Sequence, residues 1–306
     1  MKTLFVIVGP TAVGKTEVAI RLAERAGGEI VSADSRQVYR HMDIGTAKPN
    51  AAQRARAPHY LIDVVDPDQV LSLAQYQAAA YAAIDDIFAR GKQPLLVGGT
   101  GLYVKAVTEG LRIPAVPPDP DLRAELEARA AHEGRHALHA ELQRVDPAAA
   151  ARIDPRNVRR TIRALEVHRL SGRRFSELGR AHPPPYRVVA IGLARPRADL
   201  YARVDARIDA MIAAGLVEET RRLAQRYDWS LPSMSGLGYR QIGMFLRGEY
   251  SLEQAIAAIR RETRRFVRHQ AAWFRPSDPR LQWFEAGPGI DEDLWATLRR
   301  EADTVE

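Results

Sequence analysis

Lys15 and Thr16 close the stretch GPTAVGKT at residues 9–16, whose spacing is that of GxxxxGK[ST]. In that pattern successive backbone N–H groups and the start of a helix converge on anionic oxygens; the lysine adds a point charge, and the final hydroxyl can ligate Mg2+. Gly9, Pro10, Thr11, Ala12, Val13, Gly14, Lys15 and Thr16 are therefore the expected polyphosphate site, with Thr16 as the metal ligand. A nucleotide hydrolase usually carries an acid at the end of another central strand to hold Mg2+. Here that strand, LLVGGTGLY, has Gly98-Gly99 at the place, and the acid is Asp34, at the end of EIVSAD. This sets a carboxylate across the pocket from the loop, where small-molecule kinases hold the group that receives a phosphoryl.

The elements that position these residues read as strand, helix, strand, helix, strand. LFVIVG runs into the glycine loop, and TEVAIRLAERAGG follows with Val18, Ala19, Leu22 and Ala26 at helical spacing. EIVSAD is the second strand, LAQYQAAAYAAIDDIFARGK a helix ended by Gly91, and PLLVGGT a third strand. The expected fold class is α/β: a P-loop NTPase-like core with a parallel sheet, whose ligands sit beyond the carboxyl ends of the strands. The proline cluster RIPAVPPDPD and the later HPPPY bracket three helical patterns, so an all-helical domain is expected as an insertion. The boundaries implied are 1–113 and 187–284 for the core, 114–186 for the insertion and 285–306 for an acidic C-terminal tail. A helix over 199–214, the loop SMSGLGYRQ and a long helix through Trp273 complete the core.

The chain has 306 residues, 46% of them apolar, and no cysteine, which excludes disulfides, thiolate zinc sites and a cysteine nucleophile. No apolar run approaches a membrane span, and the first residues lead into a glycine loop rather than a cleavable signal, so a cytoplasmic protein without a membrane partner is expected. The net charge is +7. Residues 1–111 are nearly balanced, with 12 Lys+Arg against 11 Asp+Glu, whereas 112–190 carry 15 against 10 and 191–284 carry 16 against 10. That excess suits a polyanion such as nucleic acid, although an arginine-rich composition is a plain alternative. The eight histidines show no metal spacing.

GPTAVGKT, SADSRQVYRHMDIGTAKP, HYLIDVVDP and LLVGGTGLY closely resemble the successive motifs of the bacterial tRNA dimethylallyltransferases. RIDPRNVRRTIRALEV, the pattern RxxLxxRVxxRxxxMIxxGL from Arg197, GLGYRQ and TRRFVRHQAAWFR agree as well. The match runs from about residue 5 to about residue 284. The resemblance implies transfer of a dimethylallyl group from dimethylallyl diphosphate to N6 of the adenosine 3′ of the anticodon in tRNA, with release of pyrophosphate. The glycine loop would then hold a leaving group, with Mg2+ as cofactor, and ATP would not be consumed.

In that reading Asp34 is the general base, Thr11 and Thr100 orient substrate, and Lys15 and Arg207 stabilise the diphosphate. Arg207 has a solvated helix charge as its plain alternative. Asp34, Ser35, Arg36, Gln37 and Tyr39 match the segment that contacts the target base of the anticodon stem-loop; Tyr39 is otherwise a core aromatic. Arg159, Arg160 and Arg163, with Thr161 and Ile162 between them, are expected to meet tRNA phosphates. Ser235, Gly236, Leu237, Gly238, Tyr239 and Arg240 are expected as a second tRNA-facing loop. Arg260, Arg261, Arg264, Arg265 and Arg268 form a basic stripe, with Ile259, Phe266 and Trp273 at sevens on the opposite face. A monomer is expected. The rival readings are a small-molecule or nucleoside kinase that consumes ATP, and a non-catalytic RNA-binding protein with a vestigial loop.

Overall fold

The computed structural model describes residues 2–178, 182 and 184–303. Six strands form one sheet: β1 (Thr3–Val8), β2 (Gly28–Ala33), β3 (His59–Tyr60), β4 (Gln93–Gly98), β5 (Arg187–Ala194) and β6 (Leu281–Glu285). Their order is β3-β2-β4-β1-β5-β6, and every neighbouring pair is parallel. All six residues of β1 are buried, as an apolar run covered on both faces must be. The register explains where the chemistry lands. Val8 of β1 pairs with Gly98 of β4, and Gly98 pairs with Ala33 of β2. The chain therefore leaves the sheet at Gly9, Asp34 and Gly99 side by side, at the carboxyl ends of three adjacent strands.

Helices begin and end where local chemistry dictates. Helix Lys15–Ala26 starts from Gly14 at φ 111 and stops at Gly27, both left-handed. Ser72 caps helix Leu73–Ala89 in a capping box with Gln75, and Ser251 caps helix Leu252–Gln270 with Gln254 in the same way. That last helix ends at Gln270, short of Trp273.

The chain divides into two compact units, residues 1–108 with 184–306, and residues 109–183. The expected boundaries fell three to five residues later. The second differs because Tyr186 belongs to the α/β unit: it is buried, packs on Tyr81 and Phe88, and donates its hydroxyl to Asp85 at 2.8 Å. Of the proline cluster at 182–186, Pro183 lies outside the described residues. The helical unit contains helices Pro120–His132, Arg135–Val145, Pro147–Ala150, Val158–Ser171 and Phe175–Leu178 around a core that includes Leu126, Leu142 and Leu165.

The expected acidic tail is not an appendage. Glu285 ends β6, and helix Ile290–Asp303 buries Ile290, Leu294 and Leu298 in the main core. Each such side chain contributes about 2 kcal/mol on transfer from water. The acids that suggested a tail pair with the first helix: Asp291 with Arg21 at 2.6 Å and Glu292 with Arg25 at 2.8 Å. An amphipathic helix with one acidic face has the composition of a solvated tail; only its partner distinguishes the two.

Candidate active site

The glycine loop is shaped from outside by side chains distant in sequence. Ala12 lies at φ 64, a conformation costing about 1 kcal/mol for a residue with a Cβ, and with Gly14 it turns successive N–H groups inward as a nest. Arg203 donates to the Ala12 carbonyl at 2.9 Å and Arg195 to the Val13 carbonyl at 3.0 Å. Fixing those carbonyls outward leaves the N–H edge to the cavity. At the start of helix Lys15–Ala26, the first N–H groups have no intrahelical acceptor and are free to meet an anion.

Lys15 folds over the loop and donates to the carbonyls of Gly9 at 2.9 Å and Pro10 at 2.8 Å. Burial lowers its pKa to about 8, with Asp34 raising it and Arg207 lowering it further. Arg207 is exposed as a residue, yet its guanidinium end lies in the walls of the cleft. Loss of water there and the neighbouring Arg203 lower its pKa, and Asp34 opposes them. Arg207 reaches the Thr11 hydroxyl at 3.4 Å. Arg203 and Arg207, four residues apart, thus present one helix face to the loop.

Asp34 accepts the Arg36 N–H at 2.8 Å, which bends the chain sharply after β2. Thr100 holds that bend. Its N–H donates to the Ala33 carbonyl at 3.1 Å, and its hydroxyl oxygen accepts the Ser35 N–H at 3.0 Å and lies 3.3 Å from the Ser35 hydroxyl. Its hydroxyl thus holds Ser35, the residue after Asp34, while Thr100 itself lines the larger cavity.

Two adjoining cavities meet at Thr11, Lys15, Asp34 and Arg207. The smaller, about 210 Å3, is walled by the loop residues Gly14 and Thr16 together with Gln37 and Arg203. The larger, about 330 Å3, extends past Ser35, Arg36 and Thr100 to an apolar end at Ile208, Met211, Leu237, Ile259 and Phe266. One end therefore suits a polyanion and the other a planar or apolar group, with the carboxylate between them.

One residue central to this arrangement was not singled out from sequence. Gln270, buried at the end of helix Leu252–Gln270, accepts the Thr11 N–H at 2.9 Å and donates to the Gly99 carbonyl at 3.0 Å. It ties the loop after β1 to the turn after β4. Gly99 must lack a side chain for this contact, because a Cβ there would lie 2.5 Å from the Gln270 amide nitrogen. The only sequence signal was a glutamine at helical spacing from Phe266 and Trp273.

The other expected contact residues divide by burial. Ser35 and Arg36 line the larger cavity, and Arg36 donates to the Pro232 carbonyl at 2.8 Å. Gln37 braces the carbonyls of Thr46 and Ala47, each at 3.3 Å, and Tyr39 is buried as the core aromatic that its alternative reading allowed. In the loop at 235–240, Ser235 and Arg240 are exposed and Leu237 half-buried, while Gly236, Gly238 and Tyr239 are buried. The Tyr239 hydroxyl donates to Glu219 at 2.6 Å, and Glu219 accepts the N–H groups of Asp43, Ile44 and Gly45. Burial and that carboxylate push the Tyr239 hydroxyl well up, so it stays a donor. This tyrosine supports the loop from inside, and with Gly236, Leu237 and Gly238 it lines the larger cavity.

In the helical unit Arg159 and Arg160 are exposed, whereas Thr161 and Ile162 are buried and turn inward. Arg163 is engaged by Glu166 and by the Val116 carbonyl at 2.8 Å. Arg159 and Arg160 are the exposed members of the set, and Arg163 is half-buried. The stripe on the last long helix is likewise partly neutralised: Asp209 pairs with Arg260 and Asp205 with Arg264, both from helix Arg197–Ala213. Of the residues set opposite the stripe, Ile259 is buried, whereas Phe266 and Trp273 are 42% and 50% exposed.

The sequence pattern described as IPP transferase matches residues 37–277. A tRNA dimethylallyltransferase of Chloroflexus aggregans is 60% identical over 276 residues, covering 90% of this chain and 93% of that protein. A tRNA dimethylallyltransferase of Thermomicrobium roseum is 51% identical over 99% of this chain and 93% of its own length. Among solved structures, the tRNA isopentenylpyrophosphate transferase of Bacillus halodurans superimposes with a TM-score of 0.75 at 40% identity, covering 99% of this chain and 98% of that one. With a parallel sheet that delivers a phosphate-type loop and a facing carboxylate to one cleft, and with similarity along almost its whole length, the chain belongs to the IPP transferase family of tRNA dimethylallyltransferases.

Proposed function

We propose that this protein transfers a dimethylallyl group from dimethylallyl diphosphate to N6 of the adenosine 3′ of a tRNA anticodon, releasing pyrophosphate. The observation that carries this reading is the pairing of a Lys15 loop with Asp34 across adjoining cavities, in a chain similar to tRNA dimethylallyltransferases along nearly its whole length. The bond between the allylic carbon and the diphosphate oxygen breaks, a bond from N6 to that carbon forms, and the N6 proton passes to Asp34. Negative charge grows on the departing diphosphate, so inward N–H groups, Lys15 and Arg207 stabilise the transition state more than the ground state. The purine amine is a weak nucleophile because its lone pair is delocalised, and a carboxylate within reach of its proton removes the charge that would build on it.

Mg2+ is the proposed cation. Thr16 and Asp34 share the wall of the smaller cavity, and among the described residues there is no group of three or more His, Cys, Asp or Glu to hold a metal. That donor set fits a hard cation that takes most of its oxygens from the diphosphate and water, with Thr16 as its protein ligand. When bound, it neutralises charge on the leaving pyrophosphate. A monomer in the cytoplasm is the proposed state; no helix among the described residues is long and apolar enough to cross a membrane.

Incubating the protein with Mg2+, dimethylallyl diphosphate and unmodified tRNA is expected to add the mass of one prenyl group to the RNA. Phosphorylation of an acceptor by ATP, with no prenyl transfer, would instead support the kinase reading.

The Lys15 pKa of about 8 gives a pH dependence. The free protein loses this ammonium as pH rises through that value, so kcat/KM for the diphosphate donor is expected to fall about tenfold per pH unit above it. In the donor complex the polyanion favours the charged lysine, and kcat holds to higher pH. The stability sign is opposite: between about 8 and the ordinary 10.5 the unfolded chain binds more protons at this site, so its destabilising contribution lessens as pH rises. A kcat/KM profile of Lys15→Arg without that limb identifies the group, since a guanidinium does not titrate there.

A further inference from the structure

Phe266 and Trp273 present large aromatic surfaces to solvent, 42% and 50% exposed, on either side of the buried Gln270. Phe266 lines the wall of the larger cavity. Trp273 lies directly on the backbone at the start of helix Gly101–Thr108, where a Cβ on Gly101 would sit 2.4 Å from its ring, next to Thr100. Phe266 thus borders the cleft, and Trp273, in the turn after the helix ends at Gln270, stands against Gly101, next to Thr100 of the cleft wall. Leu102, 39% exposed, extends the same apolar edge. Arg265 and Arg275 are exposed nearby and have no carboxylate partner among the described residues, unlike Arg260 and Arg264.

The proposed reaction, on which this inference rests, needs the adenosine out of its stack, because N6 is unreachable inside it. Removing one base leaves its neighbours without a stacking partner. We propose that Phe266 and Trp273 form an aromatic bracket on which the bases flanking the reacting adenosine stack, while Arg265 and Arg275 meet the adjacent phosphates. A strand stacked on both rings is held open around the missing base. Unstacked bases and aromatic or arginine faces are the usual means of recognising single-stranded RNA.

The test measures binding and stacking separately from turnover. An unmodified anticodon stem-loop carrying 2-aminopurine beside the target adenosine is titrated with the wild type, F266A, W273A and the conservative F266Y and W273F. Each alanine variant is expected to weaken RNA binding about tenfold and to lose the fluorescence quenching. The conservative variants keep both, the melting temperature stays unchanged, and W273A, whose ring lies outside the cavity lining, keeps the affinity for dimethylallyl diphosphate. Unchanged RNA affinity and quenching in both alanine variants would overturn the bracket. So would a change in self-association of the RNA-free double variant, which would assign the rings to a protein contact. Wild-type prenyl transfer, assayed alongside, judges the function independently: transfer with no effect of the substitutions refutes only the bracket.

Discussion

Asp34→Asn is expected to bind dimethylallyl diphosphate within about threefold of wild type and to lose 10²- to 10⁴-fold in kcat, roughly the range for removing a general base. Asparagine is the informative replacement because its oxygen can still accept the Arg36 N–H that Asp34 takes at 2.8 Å, so the bend after β2 survives. The same change has a second readout. Asp34 raises the Lys15 pKa, so removing its charge should move the alkaline limb of kcat/KM for the donor below about 8. Donor affinity is best compared near pH 6.5, where Lys15 is charged in both proteins. Turnover equal to wild type would remove Asp34 as base, while a shifted limb with normal turnover would leave it only an electrostatic neighbour of Lys15.

Lys15→Ala is expected to lower kcat/KM for the donor by about 10³-fold, divided between weaker binding and slower transfer. A point charge on a departing pyrophosphate acts on both the bound and the transition state, and more on the second. Stability should hardly fall. The ammonium is desolvated in the free protein, and relief of that cost on its removal offsets the loss of its bonds to the Gly9 and Pro10 carbonyls. A large loss of melting temperature, with activity lost in proportion, would make Lys15 a structural clip instead. Steady-state kinetics with the donor varied, together with thermal unfolding, separates the two.

Much of the site was legible because its information is local. GPTAVGKT specifies a loop, a charge and a helix start within eight residues, and the strands around it declare themselves by apolar runs. Asp34 was visible by its place at a strand end, and the absence of an acid at Gly98-Gly99 was equally readable. The resemblance then supplied the reaction, which no spacing in the chain could have named. What the sequence by itself determined was therefore the set of reacting groups, the parallel α/β core and the helical insertion.

The tertiary structure decided which side chains are free to act. Arg260 and Arg264 looked like a basic surface until helix Arg197–Ala213 brought Asp209 and Asp205 against them. Tyr239, Thr161 and Ile162 sat inside promising motifs and proved to be interior. Gln270 is 259 residues from Thr11, and the acidic segment after Glu285 became core through helix Lys15–Ala26. In each case the deciding partner lies far along the chain. Backbone conformation and hydrophobic period are set by near neighbours, but whether a charge is paired, a hydroxyl engaged or a ring exposed depends on what the fold packs against it.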